Sequence, residues 1–434
     1  MIKKFSKKKL INKIKERNIK IGIVGLGYVG LPLAHAFSTK NLEVIGFDQD
    51  EKKIKLLRSG NSYISYFSKK KIRDIVNKKF TCYNSYEKIS DVDIIILCLP
   101  TPLTKQKTPD MSFIKKSMRE IKKYLKPGQL LSLESTTYPG TCREVLLPFL
   151  DKRFLIGSNF FLTYSPERED PGNKKYSISN LPKILGGITT NCADIGSKLY
   201  SLLNIKVIKV KSIEIAEFTK LLENIYRSVN IGMINELKIL CQKMNINIFD
   251  VIKAAKTKPF GFQAFYPGPG YGGHCIPIDP FLLTWKAKQY NFNTKFIKLS
   301  GLVNESMPHF IVNKILKLKK NLKINKIIIL GIAYKKNVDD IRESPSFKIL
   351  ELLNKKKFKV DYLDPYIPKI KSRNFKGIKK SLPMKYNIIK KYDLTLVLTD
   401  HDLFNYKKIK NLSKIIIDCR GRYQPSIKNN IFQG

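Results

Sequence analysis

The chain has 434 residues, more than one ordinary domain holds, so two or three are expected. A hydrophobic fraction of 43% excludes a disordered chain. The balance is strongly basic, 81 Lys and Arg against 35 Asp and Glu, a formal net charge of +46. That charge opens two readings: a nucleic-acid binder, or a lysine-rich composition with a general pull on anionic ligands. The lysines are spread along the whole chain beside many Ile and Asn, and no zinc finger, RNA-binding aromatic motif or basic zipper appears. The second reading is preferred, and nucleic acid is set aside as a partner. The apolar runs are short, such as Ile94–Leu99 and Ile327–Leu330, so no membrane helix is expected. The N-terminus, MIKKFSKKKLINKIKERN, is basic and lacks the apolar stretch of a signal peptide, so a cytoplasmic protein is expected. The seven cysteines are 82, 98, 142, 192, 241, 275 and 419; they form no CxxC, and neither a disulfide framework nor a metal site is expected.

Residues 1–18 read as a basic extension. After it, IKIGIVGLGYVG is a short β-branched run ending in Gly25-Leu26-Gly27-Tyr28-Val29-Gly30, followed by the helical LPLAHAFSTK. A second strand, LEVIGFD, ends in Asp48. Strand, glycine turn, helix, strand and terminal acid together make a dinucleotide-binding turn. Gly25 permits the tight turn, Gly27 lets a pyrophosphate approach the backbone, and Gly30 allows close helix–strand contact. Tyr28 and Val29 lead into the helix, whose first N–H groups face the phosphate. Asp48 would accept from a ribose diol, which favours NAD over NADP. The alternative is a tight turn without ligand.

Alternation continues with DIIILCLP at 93–100, a helix near 112–125 and QLLSLEST at 129–136. Pro100-Thr101-Pro102 breaks the chain just past a strand's carboxyl end, the edge where open α/β sheets bind ligands. From about Ile213 to Met244 apolar residues recur at helical spacing without Gly-Pro punctuation, as in a long helix joining domains or subunits. The strand pattern returns with KINKIIILGIAYK, KVDYLDP, DLTLVLTD and KIIIDCRG. The turn Gly331-Ile332-Ala333 is degenerate and fits a mononucleotide portion better than NAD. The expected class is α/β: two Rossmann-like doubly wound domains joined by a long central helix and a helical dimerisation region. The expected bounds are 19–210 for the NAD domain, 211–312 for the helical region and 313–434 for a C-terminal Rossmann-like domain.

The densest cluster is Pro267-Gly268-Pro269-Gly270-Tyr271-Gly272-Gly273-His274-Cys275-Ile276-Pro277-Ile278-Asp279-Pro280. Its glycines and prolines exclude a regular helix or strand. Such a loop brings backbone close to a ligand and holds Cys275 in a fixed place, where a cation or backbone donors can activate its thiol. The alternative is a tight structural loop with an incidental cysteine.

At this point the sequence resembles the nucleotide-sugar dehydrogenases, the UDP-glucose and UDP-N-acetylhexosamine 6-dehydrogenases. The motifs that carry the resemblance are GLGYVGLPLA, LPTP, LESTTYPGT, SPERED, FTKLLENIYRSVNIGMINEL, FYPGPGYGGHCIPIDP and GIAYKKNVDDIRESP. The resemblance implies that NAD takes two hydrides from a sugar C6 hydroxyl, through a thiohemiacetal and a thioester on Cys275. It implies that Lys220 supplies a cation and Asn224 a hydrogen bond. It implies that Glu167 handles the hydrolytic water or thioester step, and that Thr101 and Asp279 orient water. Glu134, with Thr136 beside it, is expected near the nicotinamide. Arg168, Tyr266, Tyr271, Gly272, Lys335 and Arg342 are candidates for the UDP-sugar. The plainer alternatives are a solvated Lys220, a strand-end carboxylate at Glu134 and surface charges at Lys335 and Arg342. The GGHCIPIDP form resembles the UDP-N-acetylhexosamine branch, with UDP-N-acetylglucosamine as first choice. Its galacto epimer, UDP-N-acetylmannosamine and UDP-glucose stay open. A homodimer or higher homo-oligomer is expected. A hydroxyacid dehydrogenase using Lys220 and Asn224 would need no cysteine, and a non-catalytic NAD- or nucleic-acid-binding protein would leave the Cys, Lys, Asn and Glu set unexplained.

Overall fold

The computed structural model describes residues 7–64, 67–76, 78–168, 180–273, 276–371 and 378–434. They divide into two compact units: Met1–Glu223 with Phe281–Tyr290, and Asn224–Pro280 with Asn291–Gly434.

The first unit is built on β1 (Lys20–Val24), β2 (Glu43–Phe47), β3 (Phe80–Tyr83), β4 (Ile94–Leu97), β5 (Leu130–Leu133), β6 (Phe161–Tyr164), β7 (Lys183–Gly187) and β8 (Val207–Lys209). They form one sheet in the order β3-β2-β1-β4-β5-β6-β7-β8, parallel from β3 to β6. β7 turns back antiparallel to β6. Helices cover both faces of such a sheet, so its strands read as continuous apolar runs. The strand order reverses between β1 and β4, where doubly wound sheets open a crevice.

The helices of this unit are α1 (Lys7–Lys15), α2 (Gly30–Ser38), α3 (Glu51–Arg58), α4 (Lys69–Val76), α5 (Ser112–Ile121) and α6 (Thr190–Ser201). The helix expected over 112–125 stops at Ile121, ahead of Pro127-Gly128. Residues 7–15 of the basic extension are part of the fold. Leu10 and Ile14, one turn apart on α1, are buried in the same core as Ile21 and Ile23. Lys13 pairs with Asp93 at 2.7 Å.

The long helix α7 (Ile213–Lys243) follows, close to the span expected from its periodicity. The second unit adds α8 (Ile248–Ala255), α9 (Asp279–Lys288), α10 (Lys295–Lys319), α11 (Pro345–Lys355) and α12 (Tyr406–Leu412), α9 passing into the first unit after Pro280. Residues 295–319 carry Gly301 and Pro308, which read as helix breakers, yet α10 runs through both. The strands are β9 (Lys326–Leu330), β10 (Lys359–Leu363), the ribbon β11 (Lys369–Lys371) with β12 (Ile378–Lys380), β13 (Leu394–Val397), β14 (Ile416–Asp418) and β15 (Ile431–Gln433). The main sheet is parallel throughout, in the order β10-β9-β13-β14-β15. Among the described residues no helix is long and apolar enough to cross a membrane.

Candidate active site

The glycine turn joins β1 to α2. Gly25 has φ +92°, and a Cβ there would sit 2.5 Å from the Cys98 carbonyl oxygen. A Cβ at Gly30 would lie 1.9 Å from the Gly25 carbonyl oxygen, whereas one at Gly27 meets nothing within 4 Å. Two glycines are therefore demanded by the fold, and the middle one leaves open space for a ligand. Tyr28 and Val29 are half-buried, and Val29, at the N-cap of α2, offers no capping side chain. The helix start thus keeps its positive end for an anion. At the end of β2, Asp48 accepts from Leu26 N at 3.0 Å and Asp50 N at 3.0 Å, with Lys53 Nζ at 3.2 Å. A carboxylate has about four lone-pair sites, so acceptor capacity for a ribose diol remains. Next to Asp48, Gln49 lines a cavity of about 610 Å³ that also touches Lys115, Arg119, Tyr138 and Trp285.

At the carboxyl ends of β4, β5 and β6 the loops are tied together. Thr101, buried, donates to the Thr136 carbonyl at 2.5 Å. Glu134, also buried, accepts from Lys183 Nζ at 2.7 Å and from the Tyr200 hydroxyl at 2.6 Å. Both oxygens expected near the nicotinamide are thus engaged. Burial pushes the Glu134 carboxyl up against the pull of Lys183. Burial works against the Lys183 ammonium, and Glu134 and Glu167 outweigh it and raise its pKa. Glu167 lies 3.5 Å from the same Nζ and accepts from Arg168 N at 2.7 Å. The Arg168 guanidinium is bound locally, to the Pro182 carbonyl at 2.7 Å and to Glu223 at 2.7 Å. Lys183 carries no sequence motif. Its only sign is a lysine opening the apolar strand Lys183-Ile184-Leu185.

On α7, Lys220 and Asn224 stand one turn apart and are 8% and 7% exposed, so Lys220 is not a solvated surface lysine. Asn224 Nδ2 donates to Asp279 Oδ2 at 2.5 Å, and Asp279 is the buried first residue of α9. Cys275 lies outside the described residues.

Within the second unit, the glycine loop before Cys275 is cramped against its neighbours. Gly268 N donates to Asn235 Oδ1 at 3.0 Å, and Gly273 N to the Arg342 carbonyl at 2.9 Å. A Cβ at Gly272 would come within 2.7 Å of Tyr334, and at Gly273, with φ +86°, within 2.8 Å of its ring. Tyr271 and Lys335 are half-buried; Tyr266 is exposed. Burial raises the Tyr271 hydroxyl above its usual range. Arg342 is paired with Asp340, Nη2 to Oδ2, at 2.6 Å. Arg420, absent from the sequence expectations, sits beside Gly268 and pairs with Asp400 at 3.0 Å. Its sign in the sequence is an arginine just past the strand in IIIDCRG.

The turn after β9 copies the first turn's backbone device without its opening. Gly331 has φ +75°, and a Cβ there would meet the Thr399 carbonyl oxygen at 2.3 Å. Asp364, at the end of β10, accepts from Ile332 N at 2.7 Å. His401 closes on it at 3.1 Å, and both side chains are 0% exposed. Burial would raise the Asp364 carboxyl, but His401 and the Ile332 amide hold it below the usual range. Buried Ala333 stands where Gly27 leaves space. Among the described residues no group of three or more His, Cys, Asp or Glu could hold a metal ion.

The chain matches the UDP-glucose/GDP-mannose dehydrogenase family in its NAD binding domain over residues 19–204, its central domain over 214–306 and its UDP binding domain over 328–425. A UDP-N-acetyl-D-glucosamine 6-dehydrogenase of Salmonella typhi is 33% identical over 393 residues, 89% of this chain and 91% of its own. A UDP-N-acetyl-D-mannosamine dehydrogenase of Methanocaldococcus jannaschii is 33% identical over 417 residues, 92% of each chain. The solved structure of a UDP-D-ManNAc dehydrogenase from Pyrococcus horikoshii superposes with a TM-score of 0.85 at 28% identity, over 96% of this chain and 99% of that one. The chain belongs to the UDP-glucose/GDP-mannose dehydrogenase family and is an NAD-dependent nucleotide-sugar dehydrogenase.

Proposed function

We propose that the chain oxidises the C6 hydroxyl of a UDP-N-acetylhexosamine to the carboxylate, through a thiohemiacetal and a thioester on Cys275. The observation that carries this reading is the buried hydrogen bond between Asn224 and Asp279, a polar pair held four residues beyond Cys275 and one turn from Lys220. NAD, when bound, accepts one hydride in each of the two oxidations. Gly25, Gly27, Tyr28, Val29 and Gly30 would hold its pyrophosphate and Asp48 a ribose, with Thr101, Thr136 and Glu134 at the strand ends.

In the first oxidation the C6 hydroxyl gives its proton to water as its carbon gives up a hydride. The Cys275 thiolate then adds to the C6 aldehyde, and the oxyanion so formed takes a cation from Lys220 and a hydrogen bond from Asn224. Loss of the second hydride leaves a thioester. Water, oriented by Asp279 and Thr101, gives a proton to Glu167 and attacks the acyl carbon. The C–S bond breaks and Cys275 leaves as thiolate. Arg168, Tyr266, Tyr271, Gly272, Lys335 and Arg342 serve the UDP-sugar. Asp340 is the resident partner of Arg342, so a diphosphate competes with it. UDP-N-acetylglucosamine and UDP-N-acetylmannosamine stand level as substrates, because relatives bearing either name are 33% identical to the chain.

A homodimer belongs to the same reading. Ile215, Phe218, Leu222, Tyr226, Met233, Leu237 and Leu240 are exposed at three-, four- and seven-residue steps along α7, a continuous apolar stripe that a second copy would cover.

The test is a panel of UDP-sugars incubated with NAD. Two NADH per acid product are expected; one NADH with free aldehyde overturns the two-step reading. Cys275→Ser should abolish turnover and keep UDP-sugar binding. Unchanged turnover removes Cys275 from the chemistry.

A further inference from the structure

β5 and β6 run parallel and end at one edge of the first sheet, so Glu134 and Glu167, just past them, emerge side by side. β7 returns antiparallel, which brings its first residue, Lys183, to that same edge. The β6–β7 register pairs Thr163 with Gly187 and Tyr164 with Gly186. Carried three residues on, it sets Lys183 across from Glu167.

The two contacts of Lys183 differ in kind. Glu134, 0% exposed, is locked at both oxygens, with the Tyr200 hydroxyl in turn 2.9 Å from Ser132 Oγ. Glu167, 3.5 Å from the same ammonium, is 13% exposed and reaches the surface of the edge. A buried ammonium costs several kcal/mol unless opposed charges compensate it. Here one is retained at the start of a strand that otherwise reads Ile-Leu-Gly-Gly.

We propose that Lys183 is a positioning residue for Glu167, anchored from behind by Glu134 and Tyr200, which keeps that carboxylate charged and aimed at the water that hydrolyses the thioester. The inference rests on the assignment of Glu167 to the hydrolytic step. In that step the water proton passes to Glu167, oxygen bonds to the acyl carbon, and the C–S bond breaks to free the thiolate. Without the ammonium, Glu134, the more buried of the two carboxyls, takes up a proton first, and Glu167 loses the cation that aims it and favours its charged form. A misaimed Glu167, protonated at higher pH than before, takes the proton of water poorly, so hydrolysis slows while both hydride transfers proceed.

The experiment follows NADH in a single turnover and the mass of the protein during steady state, with UDP-N-acetylglucosamine and UDP-N-acetylmannosamine as probes. Lys183→Met is the direct variant. Lys183→Gln removes the charge and can still donate to Glu134, so it stays informative where Lys183→Met does not fold. The expected result is an intact burst of two NADH, a steady-state rate down by about 10²-fold, accumulated acyl-enzyme, and an acid limb of the pH–rate profile moved to higher pH. Lys183→Arg should restore most of the rate. Glu167→Gln separates the two assignments. Should it turn over normally, the hydrolytic role of Glu167 falls. Should it accumulate acyl-enzyme while the Lys183 variants lose only melting temperature, the Lys183 proposal alone is overturned.

Discussion

Glu217 accepts the backbone N–H of Gly140 at 2.6 Å, and its second oxygen accepts that of Cys142 at 2.9 Å. A side chain of α7 thereby holds the turn that follows β5. Burial is the largest influence on this carboxyl and, despite both amide donors, raises it from 4.5 to about 7. Between these values the folded protein keeps a proton that the unfolded chain has lost, so stability falls as pH rises from 4.5 to about 7. The loss should be on the order of 3 kcal/mol. Glu217→Gln stays neutral throughout. Its melting temperature relative to the parent should therefore climb from pH 4.5 to pH 8; a difference constant across that range would refute the assignment.

The glycines of the first turn should separate folding from binding. Gly30→Ala places a methyl 1.9 Å from backbone and should unfold the protein or cost several kcal/mol. Gly27→Ala meets nothing within 4 Å, so melting should hardly change while the Kd for NADH rises about tenfold or more. Equal melting losses in the two variants would contradict this division.

Helix α1 is structural. Leu10→Ala should destabilise the first unit by about 2–5 kcal/mol, read from denaturant unfolding. A neutral result would return residues 7–15 to the status of an appendage.

Lys238, on α7, is fully buried, and its Nζ has no hydrogen-bond partner among the described residues. Burial lowers its pKa, with Cys419 and Asp418 opposing. The folded protein thus releases a proton that the unfolded chain keeps, and stability from this group rises as pH climbs toward 10.5. Lys238→Met should stabilise by about 1–3 kcal/mol at pH 7 and flatten that alkaline rise. A loss of stability at pH 7 would show that the ammonium is compensated.

The apolar stripe of α7 gives the oligomer test. Leu222→Glu with Leu240→Glu, both exposed in the single chain, should shift the sedimentation mass to that of one chain without unfolding it. A dimer surviving both substitutions would place the interface elsewhere.

Much of this was legible before the fold. The glycine turn, the apolar strands and α7 announce themselves by local period and punctuation. What escaped depends on distant chain meeting. Lys183 is one lysine among many until β7 reverses and carries it to Glu134 and Glu167. Leu10 and Ile14 are hidden by the lysines around them, and Pro308 disguises α10. The Asp364–His401 contact joins residues 37 apart that no pattern links.

That contact bears on timing. The second turn is plugged by Ala333 and sealed by His401, so the described fold offers a dinucleotide one berth, at Gly27. In the two-step oxidation proposed above, four electrons would need two acceptors, and these would take that berth in succession. Between departures the half-oxidised sugar has to wait, and an aldehyde left to wait in water would hydrate or escape. A bond to sulfur is a tether for that interval, and the single berth is the reason to have one.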